Sequence, residues 1–155
     1  MTTTTLTINN RTVTADVEPR LSLADFIRDH HGLTGTHTAC EHGVCGACTL
    51  LLNDRPVRSC ITLAVAADGM EIRTIEGYDG DEVMSVIRAC FKKGHAVQCG
   101  YCTPGMLATA YDIVTRLPDI DRQRIKHELS GNLCRCTGYL GIVDAIEMAI
   151  AEVHG

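Results

Sequence analysis

Cys40-Glu41-His42-Gly43-Val44-Cys45-Gly46-Ala47-Cys48, answered by Cys60 after the run Thr49–Ser59, is the stretch that decides how this chain is read. As ligand spacing it is C-x4-C-x2-C followed by a fourth cysteine, the plant-type arrangement for a [2Fe–2S] cluster. Four thiolates must converge on two irons, and the sulfurs, rich in negative charge, need hydrogen-bond donors. Gly43 and Gly46 let the loop turn its backbone N–H groups inward, because glycine visits positive φ without a Cβ clash. Three closely spaced thiolates and a later fourth match paired zinc knuckles poorly.

The rest of the composition narrows the function classes. The chain has 155 residues, enough for one domain or two small ones, and its nine cysteines favour two. Met1 is followed by Thr2–Thr5, with no basic segment and no apolar run of a secretory signal, so a reducing, cytoplasmic compartment is expected. A formal charge of −5 with interspersed Lys and Arg leaves no basic footprint for nucleic acid or an anionic membrane. No apolar run approaches membrane-spanning length.

Working outward from the cysteine loop, Leu6 and Ile8, then Val13, Ala15 and Val17, alternate with polar residues around Asn9-Asn10, which reads as a β-hairpin. Ser22 with Asp25 three positions on predicts a capped helix from about Leu23 to His30, ended by Gly32. Thr49–Leu52 suits a buried strand turned by Asn53-Asp54, and Met70–Thr74 a further strand. At Glu76-Gly77-Tyr78-Asp79-Gly80 the strand-like alternation stops and helical periodicity begins, which places a domain boundary between 1–76 and 77–155. Asp81 caps a helix with Val83, Val86, Ile87, Cys90 and Phe91 on one face, closed by Gly94. Thr103-Pro104 reads as the N-cap and first residue of a second helix stopped by Pro118. Asp121 opens a third, and Ile142–Val153 carries a fourth, so the second half is expected to be a four-helix bundle in an α+β protein.

Cys99-Gly100-Tyr101-Cys102 and Cys134-Arg135-Cys136 fall at junctions of these helices, so the bundle must bring two connections together at one end. An extended C-x-C pair points both side chains to one side, and the helix start at Thr103 offers unpaired N–H groups and a positive dipole end to a negative cluster. Taken alone, this second set suits a structural zinc site as well as an iron–sulfur cluster. Cys90 reads as a buried small hydrophobe. His30, His31, His37 and His42 read as loop or surface residues, since four cysteines already complete the first set. Arg135 reads either as a charge that tunes the cluster beside it or as a solvated side chain.

With both sets in view, the chain resembles the iron–sulfur subunit of the molybdenum hydroxylases, the xanthine dehydrogenase, aldehyde oxidoreductase and carbon monoxide dehydrogenase type. The resemblance rests on Gly35, the Cys40–Thr49 motif, Cys60, Gln98-Cys99-Gly100-Tyr101-Cys102-Thr103-Pro104-Gly105-Met106 and Gly131-Asn132-Leu133-Cys134-Arg135-Cys136-Thr137-Gly138-Tyr139. It implies an N-terminal β-grasp, ferredoxin-like domain and a C-terminal four-helix domain, each holding one [2Fe–2S] cluster. Cys40, Cys45, Cys48 and Cys60 match the ligands of the cluster that faces FAD. Cys99, Cys102, Cys134 and Cys136 match those of the cluster beside molybdopterin, with Gln98 and Cys136 next to the pterin. Ala39 and Tyr101 depart from the glycine and phenylalanine common in relatives. The implied role is electron transfer in a heterotrimer with a large molybdenum-binding and a medium FAD-binding subunit, during hydroxylation of a substrate such as an N-heteroaromatic compound or an aldehyde. A stand-alone two-cluster ferredoxin and a zinc-stabilised interaction module are the alternatives.

Overall fold

The computed structural model describes residues 1–155. Its first half is a five-stranded sheet built from β1 (Thr2–Ile8), β2 (Arg11–Val17), β3 (Thr49–Leu52), β4 (Arg55–Arg58) and β5 (Glu71–Arg73), in the order β2-β1-β5-β3-β4. Asn9 and Asn10 both take positive φ, as do Asn53 and Asp54, so each hairpin closes on a two-residue turn whose twist matches its strands. β1 and β5 pair in parallel at the centre, with Ile8 opposite Ile72.

The expected first helix starts at α1 (Leu23–Asp25), where the Ser22 hydroxyl accepts from the Asp25 N–H at 3.0 Å, and continues as a wide turn over Phe26–His30. It lays Leu23, Phe26 and Ile27 across one sheet face against Leu6, Ile8, Val17, Leu50 and Ile72. The hydrophobic pattern does not announce β4. Its Arg55-Pro56-Val57-Arg58 breaks apolar alternation, and it is tolerated because β4 is an edge strand, where proline's missing N–H costs little.

The second half holds α2 (Glu82–Lys93), α3 (Thr103–Arg116), α4 (Arg122–Glu128) and α5 (Leu140–His154). Asp81 and Asp121 cap α2 and α4 through their carboxylates, and Gly94 closes α2, in agreement with the spacing. At α3 the start differs from the expectation by one residue: Cys102 is the N-cap, Thr103 is already helical, and no side chain caps the end.

Buried apolar residues form two groups. One lies between α1 and the sheet; the other lies among the helices and includes Cys90, which is 1% exposed. β3 joins them, since Leu50 faces the first group and its neighbour Leu51 the second. The run Thr-Leu-Leu-Leu is apolar throughout its leucines because both faces of that strand are covered. No helix is long and apolar enough to cross a membrane.

Candidate metal centres

The loop 40–48 enters β3, an inner strand of the sheet, so its last thiol, Cys48, sits at the strand's start and is 2% exposed. Cys40 and Cys45 are half-buried in the loop, and Cys60 arrives from the short 3-10 turn after β4. Backbone N–H groups of His42 and Cys45 donate to Cys40 Sγ at 3.4 and 3.3 Å. Chiefly the Cys45 N–H, with that of His42, pulls the Cys40 thiol down to about 6 against its slight burial. Burial pushes the Cys60 thiol up to about 11, and the adjacent Cys48 thiol adds to this while the Gly43 N–H opposes it.

The second set is assembled from two turns. Cys99 and Cys102 sit before and at the start of α3, and Cys134 and Cys136 lie in the connection that leads to α5. Cys99 and Cys136 are exposed; Cys102 and Cys134 are half-buried. Burial, then the Cys134 and Cys99 thiols, pushes Cys102 up to about 12, outweighing its own backbone N–H. Burial also acts to raise Cys134, yet the Thr137 hydroxyl, donating to its Sγ at 3.1 Å, and neighbouring N–H groups bring it below the usual thiol value. Cys136 is raised chiefly by the Cys99 thiol. The Tyr139 hydroxyl accepts from the Cys134 N–H at 2.9 Å and holds this turn in place.

No three donor side chains close on one point as they would around a single metal ion. Within each set the thiols act on one another, most strongly Cys40 with Cys45, Cys60 with Cys48, Cys102 with Cys134 and Cys136 with Cys99, and more weakly Cys60 with Cys40, Cys102 with Cys99 and Cys136 with Cys134. Two pairs of thiolates per site, with N–H and O–H donors aimed at sulfur, fit a two-iron cluster better than a zinc tetrahedron. Cys60, Cys102 and Cys136, each raised in part by a neighbouring thiol, resist ionising beside it, and a bound cation removes that penalty.

The two sets lie back to back. Leu133 N–H, next to Cys134, donates to the carbonyl of Cys45 at 2.8 Å. Gly46, at φ +74°, leaves room for this contact, because a Cβ there would stand 2.3 Å from the Gly131 carbonyl oxygen. Tyr101, between Cys99 and Cys102, stacks on His37 with ring centroids 4.8 Å apart and donates its hydroxyl to the Thr38 carbonyl at 2.5 Å. His37 answers with Nδ1 2.7 Å from the Tyr101 carbonyl oxygen. Tyr101 thus ties one loop to the other, a link that the reading of His37 as a loop residue does not contain and that no local signal announces. Gln98 is exposed beside the exposed Cys99, and Arg135 is exposed as well. His42 is exposed, its ring nitrogen on the Cys40 carbonyl. Cys90 lies in the helical core.

Residues 6–74 match the 2Fe-2S iron-sulfur cluster binding domain family, and residues 74–147 the [2Fe-2S] binding domain family. The caffeine dehydrogenase subunit gamma of Pseudomonas sp. (strain CBB1) is 47% identical over 145 residues, covering 92% of this chain and 87% of that protein. The nicotine 6-hydroxylase small subunit of Paenarthrobacter nicotinovorans is 47% identical over 146 residues, covering 94% and 88%. Among solved structures, quinoline 2-oxidoreductase from Pseudomonas putida 86 superposes with a TM-score of 0.91 at 48% identity, covering 98% of this chain and 94% of that one.

Proposed function

Since this chain belongs to the family of iron–sulfur subunits of the molybdenum hydroxylases, we propose that it is the electron-transfer subunit of a heterotrimer with a large molybdenum-binding and a medium FAD-binding subunit. Cys40, Cys45, Cys48 and Cys60 hold one [2Fe–2S] cluster, and Cys99, Cys102, Cys134 and Cys136 hold the other. When bound, the clusters supply single-electron transfer between the molybdopterin and FAD centres of the partners. The chain's own residues ligate, supply hydrogen bonds to sulfur and keep the two sites a fixed distance apart. Gln98 and Cys136, both exposed, face the pterin. We place the division between the two cluster-binding units at 76/77, supported by the change from strands to helices and by the two apolar groups.

The observation that carries this reading is where the exposed large apolar side chains lie. Apart from the terminal Met1, each lies within four residues of a cysteine along the chain: Val44, Ile61 and Leu63 by the first set, and Val97, Tyr101, Leu133 and Leu140 by the second. Apolar surface gathered at each redox site marks a face built to be covered, and two such faces suit a relay between two partners rather than a freely diffusing ferredoxin. The names of the relatives, which act on caffeine, nicotine and quinoline, support an N-heteroaromatic substrate selected in the large subunit. Eight thiols kept free for iron suit the reducing cytoplasm.

Co-expression of this chain with its partner subunits and analysis of the purified complex tests the assignment. About four irons and four sulfides per chain, no stoichiometric zinc, and two paramagnetic signals on reduction are expected. About two irons, or stoichiometric zinc, overturns it. Purification of this chain fully loaded but without partners returns it to the stand-alone ferredoxin.

A further inference from the structure

Arg58 lies at the end of edge strand β4, and its guanidinium reaches into the seam between the two cysteine loops. Nη1 donates to Thr49 Oγ1 at 2.8 Å and Nη2 to the Gly131 carbonyl at 2.6 Å. Thr49 directly follows Cys48, and Gly131 stands three residues before Cys134, so one planar fork grips both loops. The backbone makes way for it: a Cβ on Gly131 would stand 2.3 Å from Nη2. Beside it, Asn132 is 2% exposed and fully engaged. Its Nδ2 donates to the Gly46 carbonyl at 3.1 Å and to Thr49 Oγ1 at 3.2 Å, and its Oδ1 accepts from Thr109 Oγ1 at 2.9 Å. No carboxylate is paired with Arg58, so the node carries a net positive charge.

We propose that Arg58 is the positioning residue that sets the spacing and orientation of the two cluster loops, and that it places an uncompensated positive charge between them. The inference rests on the reading of the eight cysteines as cluster ligands. Electron transfer between two centres falls steeply with their separation, so a rigid fork in the seam controls rate without touching either site. Reduction makes each cluster more negative, and a fixed cation nearby favours the reduced state of both. The two effects separate by substitution, because lysine keeps the charge but replaces a planar, two-pronged donor with a flexible point charge.

The test compares the purified heterotrimer with its Arg58→Met and Arg58→Lys variants. One readout is the magnetic interaction between the two reduced clusters, seen as splitting or enhanced relaxation in low-temperature electron paramagnetic resonance; the other is the midpoint potential of each cluster. In the Met variant the interaction should weaken or broaden and both midpoints should fall. In the Lys variant the midpoints should return towards wild type while the interaction stays altered. A Met variant with full iron content and an unchanged interaction overturns the positioning role, and unchanged midpoints overturn the charge role. Full recovery of the interaction by lysine also overturns positioning by the fork. If the Met variant loads less iron, the Lys variant decides by the same criterion, and failure of both to load assigns Arg58 to folding alone and overturns the proposal. A wild-type complex with two signals and no interaction overturns it too, whereas a wild-type complex with a single cluster overturns the relay reading itself.

Discussion

The loop at Cys40–Cys48 and the paired turns at Cys99–Cys102 and Cys134–Cys136 differ in where their hydrogen-bond donors come from and in what holds them. In the first, the backbone supplies the donors: His42 and Cys45 N–H groups point at Cys40, and the Gly43 N–H at Cys60. The fold of the loop and its electrostatics are therefore one thing, and Cys48 is locked against β3. In the second, two segments well separated in sequence meet only because the helices they border pack together, and a side-chain hydroxyl, that of Thr137, supplies the closest donor to sulfur. The first site is made by a local path of the chain; the second is made by tertiary packing and leaves two thiols exposed. The first has little freedom to be retuned by substitution, whereas the second is open to a partner and adjustable one side chain at a time.

The largest effects should come from the cysteines proposed to hold the clusters. Cys45→Ser is expected to remove one paramagnetic signal and leave the other, and Cys102→Ser the reverse, because the two sets share no residue. Loss of both signals from Cys102→Ser with normal protein yield would break the comparison, since it would make the local loop dependent on the helical one.

Next come two glycines at matching places, both with positive φ. At Gly46 a Cβ would meet the Gly131 carbonyl at 2.3 Å; at Gly100, φ +80°, nothing lies within 4 Å. Gly100→Ala should cost only the left-handed conformation, roughly 1 kcal/mol. Gly46→Ala adds a backbone overlap in a buried seam and should cost at least about 3 kcal/mol. Thermal bleaching of cluster absorbance in the complex reads the difference, and equal losses would mean that the two loops do not press together as described.

A smaller effect is expected at Thr137. Its hydroxyl donates to Cys134 Sγ and accepts from the Tyr139 N–H at 3.2 Å. A donor to a cluster sulfur favours the reduced, more negative form, so Thr137→Val should lower the second cluster's midpoint by tens of millivolts, taking about 0.5–1.5 kcal/mol for the lost bond. Thr137→Ser should restore it. The first cluster should not move, and an equal shift in both would contradict a donor dedicated to one site.

The same contrast between local and tertiary construction decides which features are legible in the amino-acid sequence. The C-x4-C-x2-C spacing, the Asn-Asn and Asn-Asp turns, and the Asp81 and Asp121 caps are legible because each acts over a few residues. β4 is not, since Pro56 and two arginines erase alternation on a strand whose edge position only the sheet order reveals. The start of α3 reads one residue late because Thr-Pro imitates a cap, while the chain turns at Cys102. Nothing local marks Arg58, Asn132 or the His37–Tyr101 stack, whose contacts across the seam span 63 to 86 residues of chain. The spacing of the cysteines is visible in the sequence; the seam that brings their two sets together is not.

The smallest effect concerns a second seam, away from the cysteines, where the sheet meets α2. Asp81 accepts from the Met84 N–H at 2.8 Å through one carboxylate oxygen, and from Arg73 at 2.6 Å and the Tyr111 hydroxyl at 3.1 Å through the other. Arg73, on β5, also stands 4.0 Å above the ring of buried Tyr78. Burial alone would raise the Asp81 carboxyl, but the Met84 N–H and Arg73, with help from Tyr111, hold it below the usual carboxylate value. A carboxylate depressed in the folded state contributes stability that is fully present above its unfolded pKa and is lost as pH falls through the folded one. This latch should thus be intact at neutral pH and loosen only below the ordinary carboxylate range. Asp81→Asn keeps an N-cap and loses the charged pair, which is partly solvent-screened, so it should cost about 1 kcal/mol at neutral pH. Amide exchange at Met84 and Ser85 should then speed up several-fold while both clusters keep their signals. If exchange is unchanged, the helical half is held to the sheet by the cysteine seam and β3 alone; if cluster signals change as well, the two seams are coupled, and the two cysteine sites are less independent than their separate construction implies.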